Sequence, residues 1–178
     1  MNLKEFNSLV DLFFYKAAKE NPNTDFLEWL NPKNKKKYTW GETSTSIQKL
    51  AKVLKDNLLK GDRCLLVSEN RPEWLIADLA IMLADGITVP AYTTYTEKDY
   101  KYLVEDCEPS VIIVSNNEMH NKLKNIIKEK DFIKKVITFD EINNIEKQDK
   151  YLKFDSIITN QLSVNEKIKN ENLKRNSP

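Results

Sequence analysis

The spacing of apolar residues changes repeatedly along this chain, and each change marks a structural element. Near the N-terminus Leu9, Phe13 and Ala17 recur every four residues, with Val10, Phe14 and Ala18 one place on. That spacing predicts a helix with one apolar face, ending near Asn21-Pro22. Asp25–Leu30 and Lys37–Trp40 then flank the polar run NPKNKK, which predicts a β-hairpin with a basic tip. The lysine cluster at 33–37 reads as a solvated loop tip rather than a phosphate or membrane contact. Thr39 followed three residues later by Glu42 predicts a capping box, in which hydroxyl and carboxylate each satisfy a free backbone N–H. The helix it opens carries Ile47, Leu50, Ala51, Leu54 and Leu58 on one stripe, and Lys60-Gly61 closes it.

From Cys64 onward short apolar runs alternate with longer helical patterns. Cys64–Val67 predicts a strand, and Pro72 suits the first turn of the next helix, where its missing N–H costs nothing. That helix, from about Glu73 to Ala84, is apolar on nearly every side and is therefore expected to be buried, with Gly86 stopping it. Ile87–Tyr92 predicts a second strand, and Pro90 inside it points to an edge, a bulge or a strand end. Thr96 caps a helix bearing Tyr100, Leu103, Val104 and Cys107, with Pro109 just beyond. Val111–Val114 is continuously apolar, the mark of a strand covered on both faces. Met119, Leu123, Ile126 and Ile127 mark another helix, and Val136–Phe139 a fourth strand. Strands separated by helices of this length imply right-handed crossovers, hence an α/β fold with a mostly parallel, flavodoxin-like sheet. After Asp140 the chain turns Asn- and Lys-rich; a short helix near Asp155–Leu162 and an exposed tail are expected.

Composition narrows the functional classes. The 28 basic and 27 acidic side chains leave a formal charge of +1, which gives nucleic acid no support as a partner. Cys64 and Cys107 have neither CxxC spacing nor enough company for a disulfide framework, and read as reduced, buried thiols. MNLKEFNSLVDLFF does not resemble a signal peptide, and no apolar run nears the roughly 20 residues that cross a bilayer. A soluble, cytoplasmic chain is expected.

The search for chemistry returns little. Gly41, Gly61 and Gly86 are the only glycines and stand apart, so no GxGxxG, GxxxxGK[ST] or GxSxG motif exists. His120, the only histidine, reads as a surface residue on a polar helix face. Glu69, Glu73, Asp78 and Asp85 are explained more simply as caps and surface charges than as an acid/base pair. Glu69 and Asn70 follow a strand end, where open α/β sheets bind ligands, but Asn70 also suits the N-cap of the helix at Pro72. Trp74 is expected in the core. Tyr92 and Tyr95 fit a ligand groove, an interface or ordinary packing equally well.

Four blocks now stand in order: YTWGE at 38–42, KGDRCLLVSENRPEWLIADLAIMLADGITVPAYTTYT at 60–96, EDCEPSVIIVSN at 105–116 and KKVITFDEI at 134–142. Together they resemble the N-terminal region of acyl-CoA synthetases, in the adenylate-forming (AMP-binding) ligase superfamily, over about residues 8 to 142. ENRPEW and the Tyr after VPA look closer to the long-chain fatty acyl-CoA synthetases than to amino-acid-activating domains. The resemblance implies a parent enzyme that uses ATP and Mg²⁺ to make an acyl-adenylate from a fatty acid, then passes the acyl group to CoA. It implies the remainder of the ligase chain as a partner, and leaves room for peripheral membrane contact and a homodimer. The family's Ser/Thr/Gly-rich phosphate loop, Mg²⁺-associated glutamate, ribose-binding aspartate and C-terminal lysine find no counterpart here. No catalytic, cofactor-binding or metal-binding residue is therefore carried over, and none of these ligands is expected to bind this chain tightly. The expected organisation is an N-terminal subdomain over 1–142, with its helix and hairpin, and a polar connecting segment over 143–178. The rival readings are a free-standing flavodoxin-like binding module and a non-catalytic interaction protein of the same fold.

Overall fold

The computed structural model describes residues 6–31, 34–143, 145, 148–159 and 168. Ser8 opens α1 (Leu9–Ala17) by accepting a hydrogen bond from the Asp11 N–H at 3.1 Å. The helix turns Val10 and Phe13 inward and leaves Leu9 55% exposed, so the buried stripe starts one residue later than expected. The expected hairpin follows as β1 (Asp25–Asn31) and β2 (Asn34–Thr39), paired antiparallel. Phe26 stacks on Trp40 with ring centroids 3.7 Å apart, and Phe13 lies 6.0 Å from both rings, which seats the hairpin against α1.

The Thr39–Glu42 capping box forms in both directions, at 3.2 and 2.8 Å, and starts α2 (Trp40–Lys55). A cap of this kind contributes about 1 kcal/mol. Then come β3 (Arg63–Val67), α3 (Pro72–Leu83), β4 (Ile87–Ala91), α4 (Glu97–Cys107), β5 (Val111–Val114), α5 (Asn117–Glu129) and β6 (Lys135–Thr138). A single 3₁₀ turn, Gln148–Lys150, leads into β7 (Tyr151–Lys153), and α6 (Phe154–Thr159) follows. β7 is a strand that sequence reasoning missed, because three residues, two half-buried and one exposed, are too few to show a period. The described part of the helix expected near Asp155–Leu162 is α6; residues 160–162 lie outside the described residues.

The five strands lie parallel in the order β4-β3-β5-β6-β7. Renumbered from β3, that is the flavodoxin-like order 2-1-3-4-5. Pro90 sits on the edge strand β4, one of the places expected for it. The strand pleat sorts side chains onto two faces. Cys64, Leu66, Val111, Ile113 and Ile137 join a core with α2 and α3; Leu65, Val67, Ile112, Val114 and Val136 join one with α4 and α5. Helices thus cover both faces, which is why the strands read as unbroken apolar runs. α3 is buried along most of its length, as its composition predicts, although Trp74 sits only at the margin of the core.

The stop after α3 differs from expectation. The left-handed residue is Asp85, at φ 63°, not Gly86. Gly86 is required for space: a Cβ there would come within 3.0 Å of Leu58 Cδ1 and 3.1 Å of Ile81 Cγ2. Gly86→Ala is therefore expected to lower stability by about 1–3 kcal/mol through crowding. Asp85→Gly, which trades left-handed strain for chain entropy, should stay within about 1 kcal/mol of the parent. Urea denaturation of the two variants checks the assignment.

Candidate functional site

An open parallel sheet binds ligands beyond the carboxyl ends of its strands, where the strand order reverses. Here that point lies between β3 and β5, between the loop Ser68–Arg71 and the residues Ser115 and Asn116. The two segments are held together just past the strand ends: the Ser115 N–H donates to the Val67 carbonyl at 3.1 Å. The Asp140 N–H likewise donates to the Ser115 carbonyl at 2.8 Å. Across the opening Asn116 Nδ2 stands 3.5 Å from Glu69 Oε1.

The long side chain that the loop turns inward is Arg71 rather than Asn70. Pro72 occupies the first helical position, so the N-cap falls on Arg71, whose backbone is extended (φ −148°, ψ 160°) and which makes no side-chain cap. Asn70 is exposed and does not cap α3, contrary to the sequence reading. Arg71 is only 7% exposed. Its Nε donates to Glu73 Oε2 at 2.8 Å and its Nη2 to Asp140 Oδ1 at 3.0 Å. The guanidinium carbon lies 4.4 Å from the Trp29 ring centroid and 5.3 Å from that of Phe139, so the cation faces aromatic rings as well as carboxylates, while its Nη1 is buried without a hydrogen-bond partner.

Glu73 is fully buried. Besides Arg71 it receives the Tyr38 hydroxyl at 3.0 Å and Lys36 Nζ at 2.8 Å. Burial by itself would raise its pKa; hydrogen bonds and charge from Arg71 and Lys36 outweigh that and hold the carboxyl down at about 2. Burial opposes the charge on Lys36 too, and Glu73 more than restores it. Burial, reinforced by the Glu73 charge, pushes the Tyr38 hydroxyl up. A buried carboxylate held ionised by three donors is committed to those partners rather than poised for proton transfer. The group is an ionic joint, not an acid/base pair.

The joint corrects two expectations. Glu73 is not a surface charge, and Lys36 is not part of a solvated tip. Lys36 and Tyr38 alternate on β2 and so share the face that packs over α3. Lys35 and Lys37 are exposed, as expected, and Lys37 pairs with Asp25 at 2.8 Å; Lys33 lies outside the described residues. One signal was available in the sequence: a glutamate in the first turn of a helix whose only other charge is Asp78, two residues after one of only three arginines.

His120 is likewise buried, at 4% exposure, where a surface residue was expected. It shares a helical face with Leu123 and Ile127, and its Nε2 lies 2.9 Å from the Tyr151 hydroxyl of β7, the strand that sequence reasoning missed. Asp78 is half-buried, and burial pushes its carboxyl up. Cys64 is buried and Cys107 half-buried; both are free thiols raised by burial, the opposite of an activated nucleophile. Tyr92 is 73% exposed, while Tyr95 packs edge-on against the buried Tyr100 at 5.8 Å. Among the described residues, no three His, Cys, Asp or Glu side chains assemble into a metal-binding group, and no helix is long and apolar enough to cross a membrane.

The crevice does not fit a nucleotide triphosphate. Its loop Ser68–Arg71 has no glycine, and Glu69 stands at the opening. Gly61 and Gly86 precede β3 and β4 and so lie at the opposite end of the sheet, and Gly41 is inside α2. A phosphate needs close backbone N–H groups and no facing carboxylate.

The family model for AMP-binding enzymes matches residues 14–175. The chain belongs to the AMP-binding enzyme family. The long-chain-fatty-acid–CoA ligase ACSBG1 of Rattus norvegicus is 26% identical over 133 residues, covering 74% of this chain and 18% of the relative. A long-chain-fatty-acid–CoA ligase of Bacillus subtilis (strain 168) is 38% identical over 79 residues, 44% of this chain and 14% of its own length. The mitochondrial acyl-coenzyme A synthetase ACSM3 of Homo sapiens is 30% identical over 105 residues, 57% of this chain and 18% of its own length. The chain thus spans less than a fifth of the curated relatives it matches. Among solved structures, the anthranilate CoA ligase AuaEII in complex with anthranoyl-AMP superposes with a TM-score of 0.72 at 19% identity. That superposition covers 89% of this chain and 29% of the other, and establishes a shared fold.

Glu73→Gln removes the charge but keeps the shape, leaving two cations facing an uncharged amide. A loss of about 3–5 kcal/mol is expected in urea denaturation at neutral pH. The sign with pH follows from the depressed pKa. The parent keeps this contribution above the ordinary value of 4.5 and loses it as pH falls toward about 2. The gap between parent and variant should narrow over that window; a constant gap would mean that charge is not what matters at this position.

Proposed function

We propose that this chain is the N-terminal part of an ATP-dependent, AMP-forming acid–thiol ligase acting on a long-chain fatty acid. In this reading the parent enzyme joins the acid to AMP with ATP and Mg²⁺, releases pyrophosphate, and passes the acyl group to the CoA thiol. The 178 residues supply scaffold and are inactive alone. One observation carries the reading: the AMP-binding family match runs over 14–175, yet the switch-point crevice inside it has no phosphate cradle. The names of the rat and Bacillus relatives support the long-chain acid; the human relative, named only as an acyl-coenzyme A synthetase, supports the broader class. In the same reading the parent works in the cytoplasm, with peripheral membrane contact where it collects acyl chains.

ATP–pyrophosphate exchange with palmitate tests the division of labour. The 178-residue protein is expected to stay at the blank level. Exchange well above blank would overturn its inactivity. The coding DNA beyond Pro178 is expected to continue in frame into a Ser/Thr/Gly-rich loop, and a stop codon there would count against the larger parent. With the longer protein, activity on short-, medium- and long-chain acids decides the acyl class.

A further inference from the structure

His120 is held in a way that neither the crevice nor its ionic joint uses. The ring sits on the buried face of α5, beside β7. Its Nε2 is 2.9 Å from the Tyr151 hydroxyl, and the two rings meet edge to face with centroids 5.5 Å apart. Its Nδ1 is buried without a hydrogen-bond partner. Folded proteins pair nearly all such groups, which makes this unpaired nitrogen the exceptional feature of the face.

The strand that the ring meets is lightly held. β7 is three residues long, stands last in the sheet order and, among the described strands, pairs with β6 alone. Two aromatic anchors fix it, one on each face. Just past its C-terminal end the fully buried Phe154 packs beside Phe139 in the core with α2 and α3. At its N-terminal end Tyr151 joins the core on the α4–α5 side, against His120. The Phe154 anchor is apolar and indifferent to pH. The Tyr151 anchor ends on an imidazole and is not.

A neutral imidazole has one N–H and one lone pair, and a hydroxyl can answer either. An imidazolium has two N–H donors, and here the one at Nδ1 would be charged, buried and without an acceptor. The surrounding charges add to the difficulty. α5 brings Lys124 one turn along and Lys128 beyond it, and the β6–β7 connection brings Lys150, whose Nζ donates to the Ile127 carbonyl at 2.9 Å. β6 presents Val136 and Thr138 on this face, both uncharged, and on β7 Lys153 pairs with Glu141. Among the described residues no carboxylate bonds to the ring. Burial, and after it the Lys124 charge, holds His120 below its ordinary value of 6.5. The stability that the neutral ring contributes is therefore fully present above 6.5 and is lost as pH falls from there toward the lower folded value.

We propose that His120 and Tyr151 form a proton-operated latch, which holds β7 on α5 while the ring is neutral and releases it when the ring is protonated. Release admits water to Nδ1 and so supplies the acceptor that the closed structure lacks. Phe154 keeps the far end of the strand seated, and the opening stays local. The latch is independent of the ligase reading, since it uses no residue of the switch point.

Amide hydrogen exchange of the 178-residue protein, followed by NMR and corrected for the intrinsic effect of pH on exchange, tests the latch. The comparison runs from about pH 7.5 to about pH 5.5, a span that stays above the usual carboxylate range. Protection of the Tyr151–Lys153 amides is expected to fall at least about tenfold across it, while the Leu65 and Ile112 amides of the central strands hold theirs. As the only histidine, His120 gives a single imidazole titration, whose midpoint should lie below 6.5. His120→Gln, which can still meet the hydroxyl but takes up no proton, should abolish the pH dependence. Tyr151→Phe removes the hydroxyl alone and serves where the glutamine perturbs α5: at the higher pH it should bring β7 protection down to the level the parent shows at the lower. Protection of β7 that is constant across the span in the parent, or that falls equally in His120→Gln, would overturn the latch.

Discussion

A carboxylate with no access to water must be answered by other groups, and the position of Glu73 obliges the surrounding chain to supply them. Its partners come from widely separated places: Lys36 and Tyr38 from β2, and Arg71 from the loop after β3. Arg71 in turn reaches Asp140 beyond β6. Desolvating so many charges cancels much of the Coulombic gain, so the joint adds little stability over a well-packed apolar core of the same volume. Its effect is selective. An apolar hairpin could slide over α3 at small cost, whereas one that must deliver an ammonium and a hydroxyl to a single carboxylate has one seat. The orientation of the hairpin against the sheet is therefore fixed by charge, and the aromatic cluster of Phe13, Phe26 and Trp40 fills the space that this orientation leaves.

The same joint changes the meaning of the crevice. In an open α/β sheet the reversal of strand order leaves a gap that a ligand can use. Here Arg71 is turned into the protein toward Glu73, and Glu69 at the opening stands 3.8 Å from its Nη1. The topology is one that elsewhere holds nucleotides or flavins, while the side chains at the decisive position serve internal cohesion. Fold and site are separable properties. A chain of this family can keep the sheet and assign its carboxyl edge to scaffold.

Much of the sheet was legible from residue order, and the reason is physical. Strands covered on both faces have no choice but continuous apolar character, so Cys64–Val67 and Val111–Val114 announce themselves. The capping box at Thr39 and Glu42 is equally local and equally visible. What stayed hidden depends on partners far along the chain. Lys36 is indistinguishable from its neighbours until β2 is laid over α3. The helix face of His120 looks polar until Tyr151 of β7 arrives beside it. The stop after α3 was assigned to Gly86, but Asp85 takes the left-handed conformation while Gly86 yields room to Leu58 and Ile81.

The outer edge of the sheet has a further consequence. The Ile87 N–H donates inward to the Asp62 carbonyl, on the β3 side. Because successive residues of a strand direct their N–H groups to alternate sides, the nitrogens of Thr88 and Pro90 face outward. Proline has no hydrogen to give, so along all of β4 only Thr88 presents an outward donor. A strand from another molecule that approached this edge would find its carbonyl oxygens nearly unanswered. The β4 edge of the sheet is thus a poor template for strand addition, and the chain is shielded there from edge-to-edge aggregation by a single missing hydrogen.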